Sequence, residues 1–127
     1  MRSRVDALGQ DDFCYLTTIG RKSGLERTIE IWFALRGSSL YMLSGGLDHS
    51  DWVQNIKVEP RVRVRISDFT VAGRARIVAP NTNEDALARR LLAGKYQGWH
   101  EGKRMSGWAR TSLPVAVDLE LTRAKTA

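Results

Sequence analysis

The chain has 127 residues, 20 basic and 14 acidic, with a formal net charge of +6 and 43% hydrophobic residues. That length suits one domain, and that balance belongs to a globular chain rather than a disordered one. No apolar run nears the ~18 residues of a membrane span, the polar start Met1–Asp12 has no signal-peptide core, and the single cysteine, Cys14, excludes an internal disulfide and a cysteine-ligated metal cluster. A cytoplasmic protein without a membrane span is expected. The positive charge calls for an anionic partner, which could be nucleic acid, a membrane surface or a phosphate-bearing cofactor.

Residues 1–12 read as a short helix or arm. Phe13–Ile19, rich in β-branched and aromatic residues, reads as a strand. Gly20–Gly24 is a glycine-bounded turn. Thr28–Leu35 alternates as a second strand, with Ile29, Ile31, Phe33 and Leu35 on one face and Thr28, Glu30 and Trp32 on the other. A tight turn at Arg36–Ser39 leads into a third strand, Leu40–Ser44, closing a hairpin. Gly45-Gly46 break the chain before a helix near Ser50–Lys57, with Asp48 or Ser50 as its N-cap and Pro60 beyond its end.

Arg61–Ile66 and Phe69–Ala79 read as two more strands joined at Ser67-Asp68. Thr82, with Asp85 three residues on, is a capping-box signature. It starts a helix that runs to about Gln97 and buries Leu87, Leu91 and Leu92. Gly98–Arg110 is irregular or weakly helical and holds Trp99, Met105 and Trp108. Pro114–Leu121 is the last strand, and residues 122–127 form a frayed tail. Six strands with two or three short helices make an α+β domain built on a small barrel.

A two-residue turn at Ser67-Asp68 sets Ile66 opposite Phe69 and Arg61 opposite Arg74. Val62, Val64, Ile66, Val71, Ala75 and Ile77 then face the core, and Arg61, Arg63, Arg65, Arg74 and Arg76 share the other face. Like charges directly opposed destabilise a sheet. Asp118 and Glu120 of the last strand, an anionic ligand or a partner subunit are the candidates to offset them. That face carries no aromatic residue for stacking on bases, which disfavours nucleic acid as the partner.

The most informative stretch is Thr17-Thr18-Ile19-Gly20-Arg21-Lys22-Ser23-Gly24, followed by Arg27-Thr28. A strand enters a basic, glycine-flanked turn whose backbone N–H groups can form an anion-binding concavity. Lys22 and Arg27 would add charge-assisted hydrogen bonds to a phosphate. Taken with Ser44-Gly45-Gly46, Asp51-Trp52-x-x-Asn55 and Pro60-x-Val62-x-Val64, this pattern resembles the deazaflavin-dependent nitroreductase family, part of the split β-barrel group of flavin-binding proteins. The likeness spans roughly residues 13–121.

The resemblance implies a six-stranded antiparallel split β-barrel, commonly dimeric, and the hydride-carrying deazaflavin coenzyme F420 as cofactor. By the same resemblance, Lys22 and Arg27 bind the cofactor phosphate, and Arg21, Ser23, Gly24 and Thr28 belong to that loop. Ser44, Gly45 and Gly46 would lie along the deazaflavin ring, with Trp52 and Asn55 on the covering helix. Trp32, Tyr96, Trp99 and Trp108 are candidates for the substrate pocket. The activity implied is hydride transfer from reduced F420 to an electron-poor small molecule of quinone, nitroaromatic or enone type.

This fits what the chain lacks: there is no Ser/His/Asp set and no metal-ligand spacing, and its histidines are His49 and His100. Two positions depart from the family pattern. Glu26 stands where many relatives have proline, and Glu30 brings a negative charge into the second strand, where many have an Asn-Pro or Val-Pro element. The alternatives are therefore FMN in the same fold, haem as in other barrels of this kind, or a non-catalytic flavin- or anion-binding protein. Trp32, a large aromatic off the core face, favours burial of that face in a homodimer.

Overall fold

The computed structural model describes residues 7–121. One antiparallel sheet contains β1 (Cys14–Ile19), β2 (Glu26–Ile31), β3 (Ala34–Arg36), β4 (Ser39–Ser44), β5 (Arg61–Ile66), β6 (Phe69–Ile77) and β7 (Leu113–Leu119). The helices that follow the first hairpins are α1 (Asp51–Val58), α2 (Asn83–Gln97) and α3 (Gly107–Thr111), and a 3₁₀ turn at Leu47–His49 leads into α1. The expected arm at residues 1–6 and tail at 122–127 lie outside the described residues. Leu8, from the remainder of the arm, packs into the core.

The strand order is β2-β1-β5-β6-β7-β4-β3. β2 and β3 thus sit on opposite edges of the sheet, although only Trp32 and Phe33 separate them in the chain. Three consecutive Cα–Cα steps reach at most about 11 Å. The sheet must therefore curl until its edges almost meet, which makes it a split barrel.

The strand expected at Thr28–Leu35 is accordingly two strands, and the sheet has seven rather than the expected six. The reason is long-range. The Phe33 amide donates to the Tyr96 hydroxyl (3.0 Å), and the Phe33 carbonyl accepts from Lys95 Nζ (2.9 Å) and lies 3.0 Å from the same hydroxyl. With both backbone groups engaged by α2, Phe33 is withdrawn from any strand ladder. The Tyr96 hydroxyl also reaches the Asp12 carbonyl at 2.7 Å. Burial pushes the Tyr96 phenol up to about 12, so it stays a protonated donor at neutral pH.

Alternation assigns the two faces. Leu16, Leu40, Met42, Val62, Val64, Ile66, Val71, Val115 and Val117 fill the inside of the curl, where Val53 and Ile56 of α1 plug one end. On the outer face, Tyr41, Leu43 and Ala116 pack under α2 against Ala88 and Leu92, with Leu87 and Leu91 partly buried. α2 starts as its sequence predicts, with Thr82 Oγ1 accepting from the Asp85 amide (3.1 Å). The return bond goes to the Asn81 amide (2.8 Å) rather than to Thr82 itself. Gly98 ends the helix in the left-handed region at φ 65°.

β5 and β6 pair in the expected register, with Ile66 opposite Phe69 and Arg61 opposite Arg74. Ile77 departs from the expected core face: it is 37% exposed, and Val78 is buried instead, in the layer under α2. Four of the five ladder arginines are engaged, differently from the sequence expectation, and Arg74 makes no ion pair among the described residues. Arg61 pairs with Glu59 and Arg63 with Glu26, and Arg65 lies 4.3 Å over the Tyr15 ring. Arg76 binds both Glu84 and Asp118. The last strand thus serves one arginine, through Asp118. Chain neighbours and adjacent elements supply the other carboxylates, and Asp118, opposite Arg74 in register, is taken by Arg76, a diagonal contact within reach of a long guanidinium arm.

Candidate functional site

The β1–β2 connection is built by its own polar groups. The Gly20 amide donates to the Leu25 carbonyl (2.7 Å), and the Gly24 amide donates to the Gly20 carbonyl (2.8 Å). Gly24 has φ 74°, a conformation glycine adopts without steric cost. Ser23 Oγ accepts from the Leu25 amide (3.1 Å) and from Arg27 Nη2 (3.3 Å). A Cβ on Gly20 would sit 2.7 Å from that hydroxyl, so a side chain there would open the turn.

The turn is bolted to α1. Asn55 is 3% exposed. Its Oδ1 accepts from the Arg21 amide (3.1 Å) and from Arg21 Nη1 (2.9 Å), while its Nδ2 donates to Thr18 Oγ1 (3.0 Å). Arg21 Nη2 adds an ion pair to Asp51 (3.1 Å). Arg21 is therefore committed to the protein. Lys22 and Arg27 are exposed, and no carboxylate among the described residues lies within ion-pair distance of either. Among those residues, the Lys22 and Ser23 amides also have no hydrogen-bond partner.

These groups line a groove of about 560 Å³. Its walls include Arg21, Lys22, Ser23, Arg27 and Thr28 from the turn and β2, with Asp51, Trp52 and Asn55 from α1. Ile29 and Trp52 give it an apolar side. Thr28 Oγ1 is hydrogen-bonded to Thr17 Oγ1 at 2.8 Å. Glu26, also on the wall, turns its carboxylate to Arg63, with two contacts at 2.9 and 3.0 Å. Arg63 in turn holds that carboxyl below its ordinary range.

The other candidates lie elsewhere. Gly24 is at the tip of the turn, outside the groove lining. Ser44, Gly45 and Gly46 shape the entry to α1: Ser44 Oγ donates to the Leu47 carbonyl (2.7 Å) and lies 2.8 Å from Ser50 Oγ. Ser50 holds the N-cap position of α1, yet its hydroxyl makes no cap hydrogen bond. A Cβ on Gly46 would come within 2.5 Å of that hydroxyl, whereas one on Gly45 would face Trp108 at 3.8 Å.

Trp32 stacks parallel on Tyr96 (4.2 Å) and stands at right angles to Trp108 (5.4 Å). Trp99 is not part of that cluster; its indole donates to the Lys103 carbonyl (2.5 Å). Cys14 is fully buried, and burial pushes its thiol up to about 12, so no thiolate forms at neutral pH. Sequence reasoning missed Thr18 and Asp51 as parts of the turn's support. The signal available was the polar pair Thr17-Thr18 in a strand otherwise made of Cys, Tyr, Leu and Ile.

The family model for F420H(2)-dependent quinone reductases matches residues 3–120. The chain belongs to that family. No curated protein matches it by sequence. A solved F420-H2 dependent reductase superposes with a TM-score of 0.66 at 23% identity, over 84% of this chain and 93% of that one. The haem storage protein HutZ from Vibrio cholerae gives a TM-score of 0.73 at 14% identity, over 96% and 93%. A protein solved as a domain-swapped dimer gives 0.66 at 23% identity, over 84% and 79%. These structural likenesses establish the split-barrel fold, and the family places the chain among oxidoreductases that depend on F420. No described helix is long and apolar enough to cross a membrane.

Proposed function

We propose that this family member holds the anionic part of F420 at the Lys22–Arg27 turn and reduces a flat, electron-poor small molecule such as a quinone, a nitroaromatic or an enone. The observation that carries this reading is a pair of cations without carboxylate partners beside two free backbone amides, on a groove whose remaining arginine is locked. That donor set matches a phosphate, and the apolar side formed by Ile29 and Trp52 matches a planar ring. Bound there, the reduced deazaflavin supplies the hydride. The chain's own residues bind and orient. Lys22, Arg27 and the turn amides anchor the anion, Asn55 and Asp51 hold Arg21 and thereby the turn, and Trp52 limits the ring's position.

We further read the assembly as a homodimer. Among the described strands β2 is an edge strand paired only with β1, and Leu25 is 60% exposed at its start.

The test is titration of the purified protein with F420 and, separately, with FMN, followed by fluorescence. F420 should bind and FMN should bind more weakly. Replacing Lys22 and Arg27 together by alanine should weaken F420 binding about 30-fold, from two charge-assisted contacts of about 1 kcal/mol each after screening. The melting temperature should hold, because neither side chain has a buried partner. Unchanged affinity in the double variant would remove both residues from the site.

A further inference from the structure

β2 serves two recesses. Its first part, Glu26–Ile29, lines the basic groove, and Glu30 and Ile31, with Trp32 just beyond the strand, line a second recess of about 250 Å³ completed by Leu43 and Trp108. The walls of this second recess are two indoles at an interplanar angle of 89°. Trp32 is backed by Tyr96, stacked parallel behind it. Glu30 precedes Trp32 by two residues, on the same side of the chain, about 7 Å along it.

The carboxylate of Glu30 is exposed and has no cationic partner among the described residues. Glu26, Asp48, Asp51, Glu59, Glu84, Asp85 and Asp118 each meet a lysine or arginine, whereas Asp11, Asp12, Glu101 and Glu120, like Glu30, make no ion pair among the described residues; of these five, Glu30 is the one that lines the indole recess. In a chain of net charge +6, an unpaired carboxylate beside two indoles is a charge-complementary seat for an organic cation. The carboxylate supplies the counter-charge, the indole faces add their negative quadrupole, and the flat wall rewards a planar ligand.

We propose that this recess binds a flat organic cation of one or two rings, such as an N-alkylated pyridinium or quinolinium, with Glu30 selecting it over neutral and anionic analogues. A positively charged ring is also electron-poor, as a hydride acceptor must be. Naming this molecule as the substrate rests on the proposed function, whereas its binding does not.

The experiment uses the full chain without F420. 1-Methylquinolinium, quinoline and a quinolinecarboxylate are compared by calorimetry near neutral pH and low salt. The Trp32 and Trp108 indole N–H resonances are followed in parallel. The quinolinium should bind about 10-fold more tightly than quinoline, within the range of desolvated cation–aromatic contacts, and shift both resonances. Glu30→Gln should bring the two affinities within about 2-fold of each other, leaving quinoline and F420 binding unchanged. The alanine double variant at Lys22 and Arg27 should bind the quinolinium normally, so loss of the F420 reading and loss of this one are separable. Equal affinities in the unsubstituted protein, a preference that survives Glu30→Gln, or shifts confined to other residues would each overturn the proposal.

Discussion

Asn55 spends its side-chain amide on bracing the turn, which makes it the sharpest single perturbation. Its amide makes three hydrogen bonds at 2.9 to 3.1 Å, two to Arg21 and one to Thr18. Asn55→Leu keeps the branched outline of the side chain, with slightly larger terminal groups, and removes all three. Neutral bonds contribute about 1 kcal/mol each, and one to a charged group about 1.5–3 kcal/mol. Arg21 keeps its ion pair to Asp51 and reaches water, which reduces the sum to about 2–4 kcal/mol. Asp51→Ala is the control, because the Asp51 side chain is 88% exposed and a surface pair is worth less than about 1 kcal/mol.

Urea unfolding should therefore show a large midpoint decrease for Asn55→Leu and a small one for Asp51→Ala, with unchanged slopes. F420 affinity should fall in Asn55→Leu, because the Arg21 amide is no longer held and the turn loses its shape. Equal stability losses in the two variants would refute the positioning argument. So would an affinity loss in Asn55→Leu without any loss of stability, since that result belongs to a residue in direct contact with the ligand.

Three further outcomes are expected. Arg76 and Tyr41 hold the Glu84 carboxyl down at about 2 against an ordinary 4.5, so the unfolded chain takes up this proton first as pH falls. The stabilisation is complete above about pH 4.5 and is lost as pH falls through about 2; Glu84→Gln should flatten that limb in urea midpoints measured from about pH 5 to about pH 2, and parallel curves would refute it. Tyr96→Phe should cost about 1–3 kcal/mol and selectively speed hydrogen exchange of the Phe33 amide, whose acceptor it removes; uniform exchange would dissociate Tyr96 from the β2–β3 crossover. Light scattering at micromolar concentration should give about twice the 14.3 kDa chain mass, and a monomer would sink the dimer reading.

Much of this architecture is legible locally. The alternation in Arg61–Ile66, the turn at Ser67-Asp68 and the Thr82 cap each rest on neighbours within a few residues, and each forms where the pattern places it. The break at Trp32-Phe33 has no such signal. No glycine or proline marks it, and the alternation of Ile29, Ile31, Phe33 and Leu35 runs straight through. The groups that end β2 are Lys95 and Tyr96, 62 and 63 residues from Phe33. The site divides in the same way. The basic turn is readable because glycines and cations are adjacent in the chain. The bracing of Arg21 by Asn55 spans 34 residues and appears only once the sheet has brought α1 beside the turn.

The distribution of paired and unpaired charge supports the proposal that a chain with a five-arginine sheet face takes a small anion rather than a nucleic-acid backbone. Polyanion binding needs cations free along a surface. On this face Arg61, Arg63 and Arg76 already hold carboxylates, and Arg65 is spent on Tyr15, the aromatic that β1 brings beside the ladder. Glu26 is the position where the chain departs from the proline of many relatives, and its acid serves Arg63, not the groove. The departure therefore removes a competing cation from the sheet face without adding a free anion to the site. Lys22 and Arg27, by contrast, stand without carboxylate partners together at one turn, beside two open backbone amides. Glu30 faces a separate recess, with β2 carrying the anion seat at one end and the carboxylate at the other. On the proposed function, that polarity matches a cofactor held by its anionic tail at one end of β2 and a positive or electron-poor ring at the other.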